Sequence, residues 1–202
     1  MSAEGPRLFV AIDLPAVARA PVLAEVDALR ALGADLRWVP VEQLHLTLKF
    51  LGALEAGRVE PLCRALAALP RTGPLALELR GLGRFPPAGR GPARVVWAGV
   101  VGPGGVGSGE ALVELAARVD RACAGCGVAR EARAFTPHLT LGRVRSNRGL
   151  QPLEAAIAAR GPAFTVPLPP IDALRLYRSE LRPEGARHSV VAEFPLGDDP
   201  RP

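Results

Sequence analysis

Apolar residues along the chain recur with two periods that take turns, one near 2 and one near 3.6. A short apolar run at 7–13, ended by Pro15, predicts a strand. Leu23, Val26, Leu29 and Leu32 then follow at helical spacing, with Gly33 as the stop and Pro21 marking where the regular part begins. Residues 44–51 alternate apolar and polar and predict the clearest strand. Val59, Leu62, Cys63, Leu66 and Leu69 mark a second helix closed by Pro70. Two strands are expected at 75–82 and 95–101, joined by a loop rich in Pro, Gly and Arg at 83–92. Leu112, Leu115, Ala116, Val119 and Ala122 predict a third helix that stops near Gly125 and Gly127. Residues 135–143 are strand-like, 150–160 form a shorter helix ending at Gly161, and 171–177 and 189–194 read as the last strands. The tail 197–202 is expected to fray.

Strands and helices mixed in this way, with short connections and no convincing linker, predict one domain over 1–202 of the α+β or α/β type. The composition changes this picture little. With 202 residues, 49% hydrophobic and 22% charged, the chain has the make-up of a globular protein with a real core. No apolar run approaches the roughly 18 residues that a membrane span needs, and the opening residues lack the pattern of a secretory signal. Three cysteines, an odd number, fit a reducing cytoplasm better than a disulfide framework. The net charge of +5 rests on arginine, since Lys49 is the single lysine. A surplus of guanidinium groups favours a phosphate-bearing partner, although a GC-rich coding sequence would also raise the arginine count.

Chemistry enters with the histidines. There are three, and two of them open the same tetrapeptide: His45-Leu46-Thr47-Leu48 and His138-Leu139-Thr140-Leu141. Both lie in predicted strands. Side chains alternate faces along a strand, so each motif offers an imidazole and a hydroxyl on one face and anchors itself through two leucines on the other. The repeat reads as an ancient duplication that places two equivalent strands about a pseudo-twofold axis. Displacement at phosphorus needs a base on the attacking oxygen and an acid on the leaving one, and two imidazoles from facing strands suit that task. The threonine hydroxyls can hydrogen-bond the non-bridging oxygens as charge builds. Lys49 shares the face of His45 and Thr47 if the alternation continues, where it would add positive potential or simply be solvated. Arg143 falls five residues after His138, which in an ideal strand is the opposite face. A bulge at Gly142 would re-aim it, and a plain surface arginine is the alternative.

With these residues in view the chain resembles the 2H phosphoesterase superfamily. The strings Leu44-His45-Leu46-Thr47-Leu48-Lys49-Phe50-Leu51-Gly52 and Phe135-Thr136-Pro137-His138-Leu139-Thr140-Leu141-Gly142-Arg143 are similar to its bacterial RNA 2′,3′-cyclic phosphodiesterase branch, historically called 2′-5′ RNA ligases. The opening 7–15, Trp38-Val39-Pro40, and Ser179-Glu180-Leu181 with its following loop add to the likeness, which covers nearly the whole chain. The resemblance implies an α+β bilobal fold, with two antiparallel-rich sheets and flanking helices around a central cleft and one motif from each lobe. It also implies hydrolysis of an RNA 2′,3′-cyclic phosphate to a 2′-phosphomonoester, with weak reversible 2′-5′ joining. No cluster of carboxylates accompanies the two motifs to hold a divalent ion, so neither metal nor cofactor is expected. On the matching positions His45 would be the proton donor, His138 the proton acceptor, Thr47 and Thr140 the phosphate holders, and Arg143 a contact to the terminal base. His188 stands where relatives of that family often carry tyrosine, a departure from the pattern.

Two other signals compete. Gly102-Pro103-Gly104-Gly105-Val106-Gly107 fits G-x-G-x-x-G, the dinucleotide fingerprint. Pro103 stiffens the turn where amides should approach phosphate, and the chain lacks a run of parallel βαβ units, so a Gly-rich connection is expected. Cys123-Ala124-Gly125-Cys126 falls at a helix C-terminus, the wrong end for lowering a thiol pKa, and has no second pair to complete a zinc site. Beside the RNA phosphodiesterase three functions stay open on sequence alone: an RNA-end-binding module without catalysis, a phosphodiesterase for a small cyclic phosphate, and an NAD-binding oxidoreductase.

Overall fold

The computed structural model describes residues 5–105, 109–182 and 185–197. In chain order the elements are β1 (Arg7–Asp13), α1 (Ala16–Arg30), β2 (Leu36–Trp38), β3 (His45–Ala53), α2 (Ala56–Ala67), β4 (Glu78–Phe85), β5 (Val95–Val101), α3 (Glu110–Gly125), β6 (His138–Val144), α4 (Leu150–Arg160), β7 (Thr165–Pro167), β8 (Ala173–Arg182) and β9 (Gly185–Pro195). They build two sheets, ordered β3-β1-β8-β9 and β2-β6-β5-β4-β7. Every strand pairing within them is antiparallel. The class is therefore α+β, and the two orders correspond. The run β3-β1-β8-β9 matches β6-β5-β4-β7, with β2 added on the outer side of β6. Each motif strand thus holds the equivalent place in its own sheet.

The leucines of both motifs enter one continuous core. Leu46 and Leu48 of β3, Leu139 and Leu141 of β6, and Leu112, Leu115 and Val119 of α3 belong to the same buried cluster. A leucine side chain taken fully out of water contributes about 1.5–3 kcal/mol, so these four anchors hold the motif strands firmly while leaving their other faces to chemistry. A smaller cluster of Leu29, Val96, Leu150, Leu153 and Ile157 fixes α1 and α4 against the second sheet.

Several elements differ from the sequence expectation, each for a local reason. Helix α1 begins at Ala16, five residues before Pro21, which sits inside it. The carbonyl that Pro21 leaves without a donor belongs to Val17, which is 74% exposed and open to water. Its buried face is Ala18, Val22, Val26 and Leu29, a 3.6-residue stripe, whereas Leu23 and Leu32 face outward. The loop expected from residue 83 starts later, because β4 runs on to Phe85. Gly83 there lies under the Trp97 ring, where a Cβ would come within 2.2 Å of it, so the glycine marks close approach inside a strand. The start of the strand expected at residue 75 is an isolated bridge from Leu75 to Ile171. β2 and β7, three residues each, are too short to show alternation. β6 opens at His138, so Pro137 precedes the strand. β8 and β9 are longer than expected at their hairpin ends, where polar residues such as Ser179 and His188 break the apolar pattern. Positions 106–108 of the Gly-rich segment, 183–184 and the tail 198–202 lie outside the described residues. β5, which precedes that segment, is antiparallel to both of its neighbours, unlike the first strand of a dinucleotide fold.

Candidate active site

Both motif strands carry a bulge at the same place. In β3, Val10 pairs with Lys49 and Ala11 with Thr47, leaving Leu48 as the extra residue. In β6, Val96 pairs with Gly142 and Trp97 with Thr140, leaving Leu141 extra. One unpaired residue flips the alternation beyond it. Leu48 and Lys49 are therefore both buried, as are Leu141 and Gly142, and the next residues, Phe50 and Arg143, return to the face of the histidine and threonine. Arg143 thus reaches the cleft through the bulge. Lys49 does not, contrary to the alternation on paper. It is only 4% exposed on the core side, 2.8 Å from Asp120 Oδ1, and donates to the Ala129 carbonyl at 2.7 Å.

Each histidine is oriented by its own strand. Nδ1 of His45 lies 2.7 Å from the Gln43 carbonyl, and Nδ1 of His138 lies 2.7 Å from the Thr136 carbonyl. A carbonyl only accepts, so both Nδ1 atoms carry the proton and donate it, and Nε2 of each ring is left for proton transfer. The rings also lean on aromatic neighbours. His45 stacks on Phe9 at 4.8 Å between centroids, while His138 meets Phe85 edge-on at 5.0 Å and Trp97 at 6.5 Å.

His45, Thr47, Thr140 and Arg143 line one cleft of about 850 Å³, together with Arg7, Phe9, Arg37, Trp38, Phe50, Arg145, Ser179 and His188. β3 and β6 contact each other, and both contribute residues to this cleft, although His138 is not among those lining it. His138 stands one step beyond Thr140 on the same face of β6. Among the described residues no Asp or Glu lines this cleft, and Arg7, Arg143 and Arg145 have no carboxylate partner. Such a surface concentrates anions. Burial pushes the His45 imidazole below its usual pKa. The Gln43 carbonyl opposes that shift, His188 and Arg143 add to it, and Asp13 counters them.

Behind His45 the same sheet carries a closed polar network that no local pattern announced. Asp13, the cross-strand partner of His45, accepts from Arg175 and, at 2.5 Å, from the Tyr177 hydroxyl, while Arg175 also holds Glu193 at 2.6 Å. Tyr177 stacks on Phe9 at 5.2 Å, so the network and the aromatic support of His45 are one assembly. Burial and the Asp13 carboxylate push the Tyr177 phenol well above its ordinary pKa, so it remains a donor. Phe50 is the other residue the sequence did not single out. It is 62% exposed in the cleft, at the position equivalent to Arg143.

The competing signals find no such setting. Cys123 is buried, with its thiol pushed up to about 12 by burial, and Cys126 lies half-buried just past the end of α3. Among the described residues no group of three or more His, Cys, Asp or Glu side chains is placed to hold a metal ion, and no helix is long and apolar enough to cross a membrane. A separate cavity of about 330 Å³ between α2 and β9 contains none of the motif residues.

A duplicated histidine–threonine strand in each of two antiparallel sheets, opening on one basic cleft, defines a protein of the two-histidine phosphoesterase class. The family model described as the 2′-5′ RNA ligase superfamily matches residues 18–182, and the chain belongs to that superfamily. An RNA 2′,3′-cyclic phosphodiesterase of Methanothermobacter thermautotrophicus is 33% identical over 193 residues, covering 94% of this chain and 98% of that protein. One from Geobacillus stearothermophilus is 34% identical over 162 residues and 79% of this chain; the match spans about half of that relative, 47%. Among solved structures, E. coli LigT complexed with 3′-AMP aligns with a TM-score of 0.76 at 28% identity, covering 96% of this chain and all of that one. LigT complexed with phosphate aligns at 0.72 and 27% identity, covering 97% and 100%.

Proposed function

We propose that the chain is an RNA 2′,3′-cyclic phosphodiesterase, acting as one two-lobed unit over 1–202 in the cytoplasm. The observation that carries this is the matched pair of imidazoles, each with Nδ1 held by a carbonyl two residues back and Nε2 available. The superfamily membership and the relatives' names support the same assignment.

In this reaction His138 Nε2 takes a proton from water as the oxygen attacks phosphorus. Protonated His45 gives its Nε2 proton to the departing 3′ oxygen, so the P–O3′ bond breaks and a 2′-phosphomonoester remains. Thr47 and Thr140, whose hydroxyls have no described partner, donate to the non-bridging oxygens as charge develops. Arg143 lies against the terminal base. The five-membered cyclic phosphate is strained, so one acid and one base suffice, without a metal. With an RNA 5′-hydroxyl in place of water, the same displacement breaks P–O3′ and joins a 2′-5′ linkage, and its reversal, attack of the 3′-hydroxyl on that linkage, restores the cyclic phosphate and frees the 5′-hydroxyl. The test is to incubate the protein with an oligonucleotide ending in 2′,3′-cyclic phosphate. A product one water heavier that loses its phosphate to a phosphomonoesterase supports the assignment; an unchanged end, with bound RNA, replaces it with a binding module.

A further inference from the structure

Two rows on the cleft face of the first sheet are treated in opposite ways. The row around Asp13, Arg175, Tyr177 and Glu193 is closed by internal hydrogen bonds and ion pairs. The row nearer the open hairpin end is Arg7, Ser179 and His188, direct cross-strand neighbours on β1, β8 and β9. All three line the cleft, and none has a hydrogen-bond or ion-pair partner among the described residues. Directly opposed residues on neighbouring strands lie about 4.5–5.5 Å apart, so these groups share one patch. His188 is the informative member. Its Nδ1 is buried without a partner, and its ring meets His45 edge-on at 5.5 Å and Phe9 at 5.0 Å. An orphaned N–H there would be costlier than an orphaned lone pair, so the neutral ring keeps its hydrogen on Nε2. Burial lowers the His188 pKa in the same sense. The row thus offers a guanidinium, a hydroxyl and an imidazole N–H, all donors without acceptors among the described residues, beside the histidine that meets the reacting phosphate.

We propose that Arg7, Ser179 and His188 form a second phosphate subsite, which holds the phosphodiester preceding the cyclic end and makes the substrate an oligonucleotide rather than a nucleoside cyclic phosphate. This rests on the phosphodiesterase assignment above. A mononucleotide reacting at His45 leaves the row empty, whereas the next phosphate of a strand supplies the acceptors it lacks. A cleft of about 850 Å³, with no carboxylate among the described residues that line it, leaves room for both.

Two measurements test this. The first is the ratio of kcat/KM for a short RNA ending in 2′,3′-cyclic phosphate to that for a nucleoside 2′,3′-cyclic phosphate. Each hydrogen bond to a charged group is worth a factor of ~10, so Arg7→Gln and His188→Phe should each lower the ratio about tenfold. His188→Gln, which keeps a donor, should hold it near the wild-type value. Ser179→Ala, with a smaller drop, stands in if His188→Phe does not fold. The second is the salt dependence of binding of the same RNA ending in 2′-phosphate. Losing one contact to a single strand should reduce the slope of log K against log salt by about 0.7 in Arg7→Gln. An unchanged ratio, or a wild-type slope in Arg7→Gln, overturns the subsite. An equal loss in His188→Gln and His188→Phe removes His188 from it. If the wild type hydrolyses neither cyclic phosphate while the slope still falls, the subsite stands and the reaction assignment is what fails.

Discussion

Replacing Lys49 by methionine probes the buried ion pair beneath β3. Methionine keeps most of the length and volume but removes the charge, leaving the Ala129 carbonyl without its Lys49 donor and Asp120 Oδ1 without its buried cation. Removing one partner of a buried pair costs roughly 3–5 kcal/mol. Asp120 is 13% exposed and keeps both Arg130 and the Glu131 amide, so the loss belongs at the low end, about 3 kcal/mol. In a chain of this size ~1 kcal/mol moves Tm by about 2–4 °C, which gives a fall of roughly 6–12 °C. Urea unfolding at pH 7, followed through the two tryptophans, measures it, with an unchanged m-value if only stability has moved. The pH dependence adds a second check. Burial tends to raise the Asp120 carboxyl, but Lys49, the Glu131 amide and Arg130 together hold it below its usual pKa. A depressed carboxyl stabilises fully above its unfolded value, about pH 4, and loses that contribution as pH falls through the folded value. Wild type and Lys49→Met should therefore converge in acid. A variant within about 1 kcal/mol of wild type at pH 7 would refute the reasoning.

Replacing His45 or His138 by alanine should lower hydrolysis of an RNA 2′,3′-cyclic phosphate by ~10²-fold or more, and Thr47→Ala or Thr140→Ala by less. A folded His45→Ala or His138→Ala with near-normal rate would end the acid–base assignment. Arg143→Ala should raise KM more than it lowers kcat, since its proposed contact is to the base; a pure kcat defect would place it on the phosphate. Activity should survive exhaustive chelation and show a bell-shaped pH profile. Burial holds His45, the proposed proton donor, below its usual pKa in the free protein, and a bound phosphate anion favours its charged form. The alkaline limb of kcat should accordingly lie at higher pH than that of kcat/KM, and coincident limbs would show that substrate leaves His45 unperturbed.

What could be read from the sequence was whatever a single strand or helix states by itself. His45 and Thr47, or His138 and Thr140, declare a shared face because period 2 is local, and their leucines declare the opposite one. The bulges are different. Whether Leu48 or Leu141 goes unpaired is decided by β1 and β5, so strict alternation puts Lys49 on the wrong face and gives no sign of Phe50. Gly142 was a usable hint for Arg143 because it packs closely against Trp38 and Leu36, where a Cβ would crowd both at 3.1 and 3.2 Å. The network of Asp13, Arg175, Tyr177 and Glu193 joins strands from the two ends of the chain, and no spacing rule connects them. β8 and β9 were shortened on paper because their cleft-facing residues are polar for the site's sake.

The hydrogen bond from each imidazole to a carbonyl two residues back has a genetic corollary. In a catalyst whose histidine is oriented by a distant carboxylate, copying the histidine's strand copies a part that cannot act alone. Here the six-residue stretches 43–48 and 136–141 each contain the orienting carbonyl, the imidazole, the hydroxyl and both anchoring leucines. Such a segment is a complete cassette. Duplicating it would deliver two working halves at once, and the positions just beyond it can differ, as Phe50 and Arg143 do, without disturbing the orientation of either histidine.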